Sequence, residues 1–295
     1  MRTATIIVAL AVVVPITASA ATQRARYLMG TVCEVAAEKP EQIELAFAEA
    51  KRVEEMLSTW TDASELARVN RGATPSPELK ALLEQTLDWS KKTARAFDPR
   101  IGHLIIGGRA SRPPAAAVPA GADATAPSET LAASGRDARP PLWEEGAFGK
   151  GYALDRMLAL VDGDALINFG GQFLVRGKHD VTIADPANRD EPVLALTIAD
   201  VSLSTSAGAH IFDPRTGKSV GDRGSVSVIE TTALVADILS TALYVMGEDD
   251  GLRWAAANRV AAIFINPNRT IRLSPAARER VRGLAVLDRN FELKD

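Results

Sequence analysis

Ala165-Leu166-Ile167-Asn168-Phe169-Gly170-Gly171-Gln172-Phe173-Leu174-Val175-Arg176 contains two short β-prone runs around a Gly-Gly pair. The pair marks a turn, so the stretch reads as two strands, Ala165–Phe169 and Gln172–Arg176. Further short strands are expected at 181–184, 193–198, 201–204 and 225–229, with a turn at Asp185-Pro186. Upstream, 29–36 reads as a strand. Downstream, Ala261–Ile265 is another, followed by a turn at Asn266-Pro267-Asn268. Helices separate these groups. One starts at Pro40 and places Ile43, Phe47, Ala50, Val53 and Leu57 on a single stripe. A second opens with the cap Ser76-Pro77 and runs through Leu79, Leu82, Leu83 and Leu87 toward Ala94. A third covers 150–161. Strand runs interspersed with separate helices give an α+β fold rather than a doubly wound sheet.

The chain has 295 residues, 46% hydrophobic and 24% charged, with a formal charge of −3. That length buries a substantial core. The balance supplies no basic field for nucleic acid or anionic lipid. Residues 1–20 read as a processing signal: Arg2, an apolar run from Ala4 to Ile16 broken late by Pro15, then Ala18-Ser19-Ala20 as a cleavage site. Export, most simply to a bacterial periplasm, is the expectation, with no stable membrane span after the signal is removed. The single cysteine, Cys33, excludes an intrachain disulfide and lies in an apolar alternating stretch suited to a small buried side chain. Residues 109–141, with Pro113-Pro114, many alanines and few large apolar side chains, read as a flexible Pro/Ala-rich surface insertion. The remainder, 21–295, is then one domain.

Val235-Ala236-Asp237-Ile238-Leu239-Ser240-Thr241-Ala242-Leu243-Tyr244-Val245-Met246-Gly247 is an almost wholly apolar helix carrying an acid. Asp237, Ser240 and Thr241 share one face at i, i+3 and i+4. A buried acid is costly unless it is paired or bound to a metal, and oxygen donors suit magnesium or calcium. The same spacing also fits a capped helix whose hydroxyls bond back to the preceding turn.

Gly146-Ala147-Phe148-Gly149-Lys150-Gly151-Tyr152 is a glycine-rich turn entering a helix, able to set amides and a lysine against phosphate or simply to turn the chain. It is not a P-loop, since no Ser or Thr follows the lysine. His210-Ile211-Phe212-Asp213-Pro214-Arg215-Thr216-Gly217 joins a histidine, the usual general base near neutral pH, to a turn. Ser204-Thr205-Ser206-Ala207-Gly208 is a small polar loop that a ligand could approach closely. Zinc-type His/Cys clusters, a nucleophile elbow and a dinucleotide fingerprint are absent from the sequence.

In this order the pieces resemble the ApbE family of FAD:protein FMN transferases. The resemblance is carried by Met29-Gly30-Thr31, Ser64-Glu65-Leu66-Ala67-Arg68-Val69-Asn70, Ala96-Phe97-Asp98-Pro99, the run from Gly146 to Asp155, and Asn168-Phe169-Gly170-Gly171. It continues through Ser204-Thr205-Ser206, His210 to Gly217, and Ala236 to Gly247. It implies a T-fold-like α+β domain that binds FAD with magnesium, cuts the pyrophosphate, releases AMP and joins FMN by a phosphoester to an acceptor threonine. Acceptors in the family include flavin-carrying subunits of ion-pumping NADH:quinone oxidoreductases and related membrane electron-transfer complexes.

The resemblance further implies Asp237, Ser240, Thr241 and the Ala147 carbonyl as magnesium ligands, with Lys150 near the FAD phosphates. Met29, Trp60, Ala96, Phe97, Asp98 and Ile211 are implied as FAD contacts, with Trp60 stacking on it. Glu144 stands where the family usually has aspartate. His210 would take the proton of the acceptor threonine. Two other readings remain open on sequence: a pyrophosphatase in which water attacks FAD, and a non-catalytic periplasmic flavin-binding protein.

Overall fold

Adjacent residues of Ala261–Ile265 belong to different cores. Ala262 and Phe264 pack with Val226, Val228, Leu239 and Leu243, whereas Ile263 and Ile265 pack with Ile183, Leu194 and Ile271. Side chains of a strand alternate faces, so this strand lies in a sheet buried on both sides. That explains its unbroken apolar sequence.

A computed structural model describes residues 22–109 and 142–294. The expected signal at 1–20, and the expected insertion beyond Arg109, lie outside the described residues. The first part comprises β1 (Thr22–Leu28), β2 (Thr31–Ala37), α1 (Pro40–Leu57), α2 (Glu65–Asn70), α3 (Pro77–Lys92) and α4 (Gly102–Arg109). Then come α5 (Gly149–Leu158), β3 (Ala165–Phe169), β4 (Gln172–Arg176), β5 (Lys178–Ala184), β6 (Pro192–Ala199), β7 (Ser202–Ala207), β8 (Phe212–Asp213), β9 (Lys218–Ser219) and β10 (Ser225–Glu230). The chain closes with α6 (Ala233–Met246), α7 (Glu248–Ala257), β11 (Ala261–Ile265), β12 (Thr270–Leu273), α8 (Pro275–Arg280), β13 (Arg282–Val286) and β14 (Glu292–Lys294).

The main sheet runs β1-β2-β3-β4-β7-β10-β11-β12-β14 and is antiparallel except for the β12–β14 pair. One face carries α1, α3, α5, α6 and α7. The other is covered by the small sheet β13-β6-β5 and α8, whose Val181, Leu196, Val281 and Ala277 close a second core. The result is the expected α+β architecture. Gly102 N–H donates to Leu142 O at 2.8 Å, so the start of α4 and the chain resuming at Leu142 lie side by side.

Two expectations shift and one strand is new. The strand expected from Met29 begins at Thr31, because Met29 (φ 46°) and Gly30 (φ 77°) form the two-residue turn of a hairpin in which Leu28 faces Thr31. Positive φ at both central residues is what a type I′ connection demands. Its partner β1 escaped sequence reading because it is a charged edge strand, exposed along most of its length, whose Arg24 and Arg26 pair with Glu44 of α1. The helix expected over 150–161 ends earlier, at Leu158. The Gly170-Gly171 turn is present, with φ of 63° and 88°, and Asn168 Oδ1 accepts from Gly171 N–H at 3.0 Å. Cys33 is fully buried in the core, and burial followed by the Glu34 charge pushes its thiol up to about 12.

α6 is apolar around nearly its whole circumference, and such a helix belongs in a core. α5 crosses it at Gly151. A Cβ there would stand 2.8 Å from Asp237 Cβ and closer still to the Ala233 carbonyl oxygen. Gly151→Ala therefore forces the helices apart and lowers stability by roughly 1–3 kcal/mol, read as a lower urea midpoint with an unchanged slope.

Candidate active site

The N-terminus of α6 has no cap of its own, since Thr232 makes no side-chain bond to the first turn. Asp155 of α5 supplies it, accepting from Ala233 N–H at 2.7 Å and Leu234 N–H at 2.9 Å. Gln172 Nε2 donates to the Ala233 carbonyl at 2.9 Å, tying the same turn to β4. One turn further along, Asp237 is 5% exposed and its Oδ2 accepts from Gly151 N–H at 2.9 Å. Gly151 N–H belongs to the first turn of α5, where amides have no acceptor within their own helix. Asp237 supplies the acceptor for that first-turn amide.

Burial holds the Asp237 carboxyl above its ordinary range, opposed by the Lys150 charge and by hydrogen bonds from Gly151 and Ser204. Asp155 is raised by burial as well. Its bonds to Leu234 and Ala233 pull the other way, and the Asp237 charge adds to the rise. Beside Asp237, Ser240 Oγ lies 2.8 Å from Ser206 Oγ and 3.3 Å from Ser204 Oγ, and Ser206 Oγ lies 3.2 Å from Thr241 Oγ1. Helix α6 and strand β7 thus gather one carboxylate and four hydroxyls. Among the described residues no group of three or more His, Cys, Asp or Glu converges. A cation here would be held by hydroxyl and carbonyl oxygens around a single carboxylate, which suits a hard ion. Ser204 was read as a strand end and Ser206 as part of a small polar loop; both stand on β7, and their approach to Ser240 depends on that strand running against α6.

A cleft of about 780 Å³ brings together Met29, Trp60, Glu144 and Lys150; Asp237, Ser240, Thr241 and His210 do not line it, and Lys150 links it to Asp237 through its charge. The hairpin turn holds Met29, whose N–H donates to Glu54 Oε1 at 2.6 Å. Trp60 is 74% exposed at the rim. Glu144 is buried, and its Oε2 accepts from Gly146 N–H at 2.8 Å, bracing the glycine turn that leads to Lys150. Ala96 and Phe97 are core residues and do not line this cleft. Asp98 is buried in ion pairs with Arg95 (3.0 Å) and Arg100 (3.1 Å). These three lie behind the wall, where Pro99 O accepts from Glu144 N–H at 2.9 Å.

His210 follows β7 on an exposed loop, and half-buried Ile211 anchors that loop against the core. Burial, then the Arg189 and Lys150 charges, hold the imidazole below its ordinary pKa. Lys150 therefore acts on both Asp237 and His210, groups that come from different elements. Replacing Asp155 with alanine removes two charge-assisted bonds to the α6 amides and lowers stability by about 1–3 kcal/mol in chemical unfolding, with Asp155→Asn intermediate.

The ApbE family profile matches residues 29–264. An FAD:protein FMN transferase of Treponema pallidum is 29% identical, over 92% of this chain and 91% of that protein. Among solved structures, the apbe protein from Thermotoga maritima superposes with a TM-score of 0.73 at 19% identity, over 89% of this chain and 99% of that one. The flavin transferase ApbE from Vibrio cholerae gives 0.70 at 20%, over 88% and 99%. The structural likenesses establish a shared fold.

Proposed function

Because the chain belongs to the ApbE family, we propose that it is an FAD:protein FMN transferase that moves FMN from FAD to a threonine of an acceptor protein. The observation that carries this reading is Lys150, a cation at the cleft whose charge is felt by both the Asp237 carboxylate and the His210 imidazole. A binding protein needs a cleft and a cation; it does not need a neutral histidine held beside them.

The FAD pyrophosphate would lie toward Lys150 and the N-terminus of α5, with the flavin near Met29 and Trp60. Asp237, Ser240, Thr241 and the Ala147 carbonyl would hold magnesium, with Ser204 and Ser206 orienting the hydroxyls. When bound, that ion supplies charge neutralisation on the pyrophosphate. His210 accepts the proton of the threonine hydroxyl as that oxygen forms a bond to the phosphorus of the FMN half. The anhydride bond breaks and AMP leaves with its electron pair, so FMN ends as a phosphoester. The sequence at 1–20 supports an exported enzyme, and the family resemblance supports acceptors among flavin-carrying subunits of membrane electron-transfer complexes. No helix among the described residues is long and apolar enough to cross a membrane.

Incubation with FAD, magnesium and a threonine-bearing fragment of such a subunit should yield flavinylated fragment and AMP in equal amounts by mass spectrometry. AMP and free FMN beside an unmodified fragment would mean hydrolysis, and intact FAD would mean binding alone. His210→Ala should keep FAD binding while transfer falls by about 100- to 10,000-fold; full transfer would remove the proposed base. Asp237→Asn should abolish the magnesium response.

The pH dependence has a definite sign. A base works in its neutral form, and His210 is depressed from its ordinary 6.5. Transfer should therefore persist below pH 6.5 and fail on the acid side as the imidazole protonates. Arg189→Ala should move that acid limb upward.

A further inference from the structure

We propose that Tyr244 is the positioning residue for His210, its buried hydroxyl fixing both ends of the loop that carries the imidazole. This rests on the reading of His210 as the base. Between β7 and β10 the chain makes an excursion that includes His210 and the small β8–β9 hairpin. Tyr244 is fully buried on α6, one turn beyond Ser240 and Thr241. Its hydroxyl accepts from Gly208 N–H at 3.2 Å on the outgoing limb and from Arg223 N–H at 3.0 Å on the returning limb. It donates to Gly221 O at 3.2 Å. A phenol has one proton and two lone pairs, so its whole hydrogen-bonding capacity is spent on this loop.

The outgoing contact bears directly on the base. Gly208 has φ +109°, and a Cβ placed on it would stand 2.9 Å from His210 Nδ1, so the imidazole lies over the Gly208 backbone. Displacing Gly208 displaces the ring. The returning limb has a second clasp: the Arg223 guanidinium donates to Val245 O at 2.8 Å, Tyr244 O at 3.2 Å and Val220 O at 3.3 Å. Both limbs are thereby referenced to the helix that also carries Asp237, and base and carboxylate share one rigid frame. A phenylalanine would fill the same apolar space and make none of the three bonds.

The test compares Tyr244→Phe, His210→Ala and the double variant with FAD, magnesium and the acceptor fragment used above. Tyr244→Phe should lower kcat for transfer by about 10- to 100-fold while KM for FAD stays within about twofold. In the His210→Ala background it should lower kcat no further, because there is no base left to misplace. Multiplying losses in the double variant, or a raised KM with kcat intact, would overturn the positioning role. Wild-type kcat in Tyr244→Phe beside an inactive His210→Ala sinks the positioning role alone. Wild-type transfer by His210→Ala sinks the base reading and this inference with it. Arg223→Lys, which loosens the returning limb and keeps the phenol, should show the same loss confined to kcat even if Tyr244→Phe fails to fold; wild-type kcat there would count against the clasp.

Discussion

Two carboxylates at the crossing of α5 and α6, Asp237 buried and Asp155 half-buried, set the terms for the rest of the molecule. Among the described residues neither forms an ion pair with a guanidinium. Asp155 is held by two amides of α6, and Asp237 by an amide of α5. Each helix thus satisfies the polar groups of the other, and the exchange works only at the close approach Gly151 permits. A carboxylate in such a place stays costly while its charge lacks a counterion. Lys150 supplies part of that counter-charge, and the oxygen-rich face beside Asp237 has room in its chemistry for more. The fold therefore places a demand for positive charge where the proposed reaction breaks an anhydride.

The rest of the site is assembled from parts with no shared sequence neighbourhood. β7 contributes hydroxyls, the β1–β2 turn contributes Met29, the segment after α1 contributes Trp60, and the loop after β7 contributes His210. The long sheet makes this possible, because β4, β7 and β10 stand side by side beneath α6.

Much of this was legible in the sequence. β3, β4 and β11 fell at their expected residues because they are short apolar runs bounded by turns, and α3 because Ser76 caps Leu79 N–H as a Ser-Pro start should. Asp237, Ser240 and Thr241 were found on one face by spacing alone. β1 was not legible, since an exposed charged edge strand has no apolar alternation to betray it. Nor was the division of labour between Met29, Trp60, Glu144 and Lys150, which line the cleft, and Ala96, Phe97 and Asp98, which lie behind it. A motif in a sequence does not say which of its side chains faces a ligand and which faces the core. The capping role of Asp155 was equally hidden, because its partners are far along the chain.

That distance has a kinetic side. The acid that caps α6 lies 78 residues before the amide it receives. α6 therefore cannot complete its first turn from local chain, and a large loop must close before the cap engages. Contacts of such separation raise the contact order and slow folding. The oxygen face of α6 thus stands on a helix whose first turn depends on a contact spanning 78 residues of chain. The proposed site is therefore complete only once α5 and α6 have met.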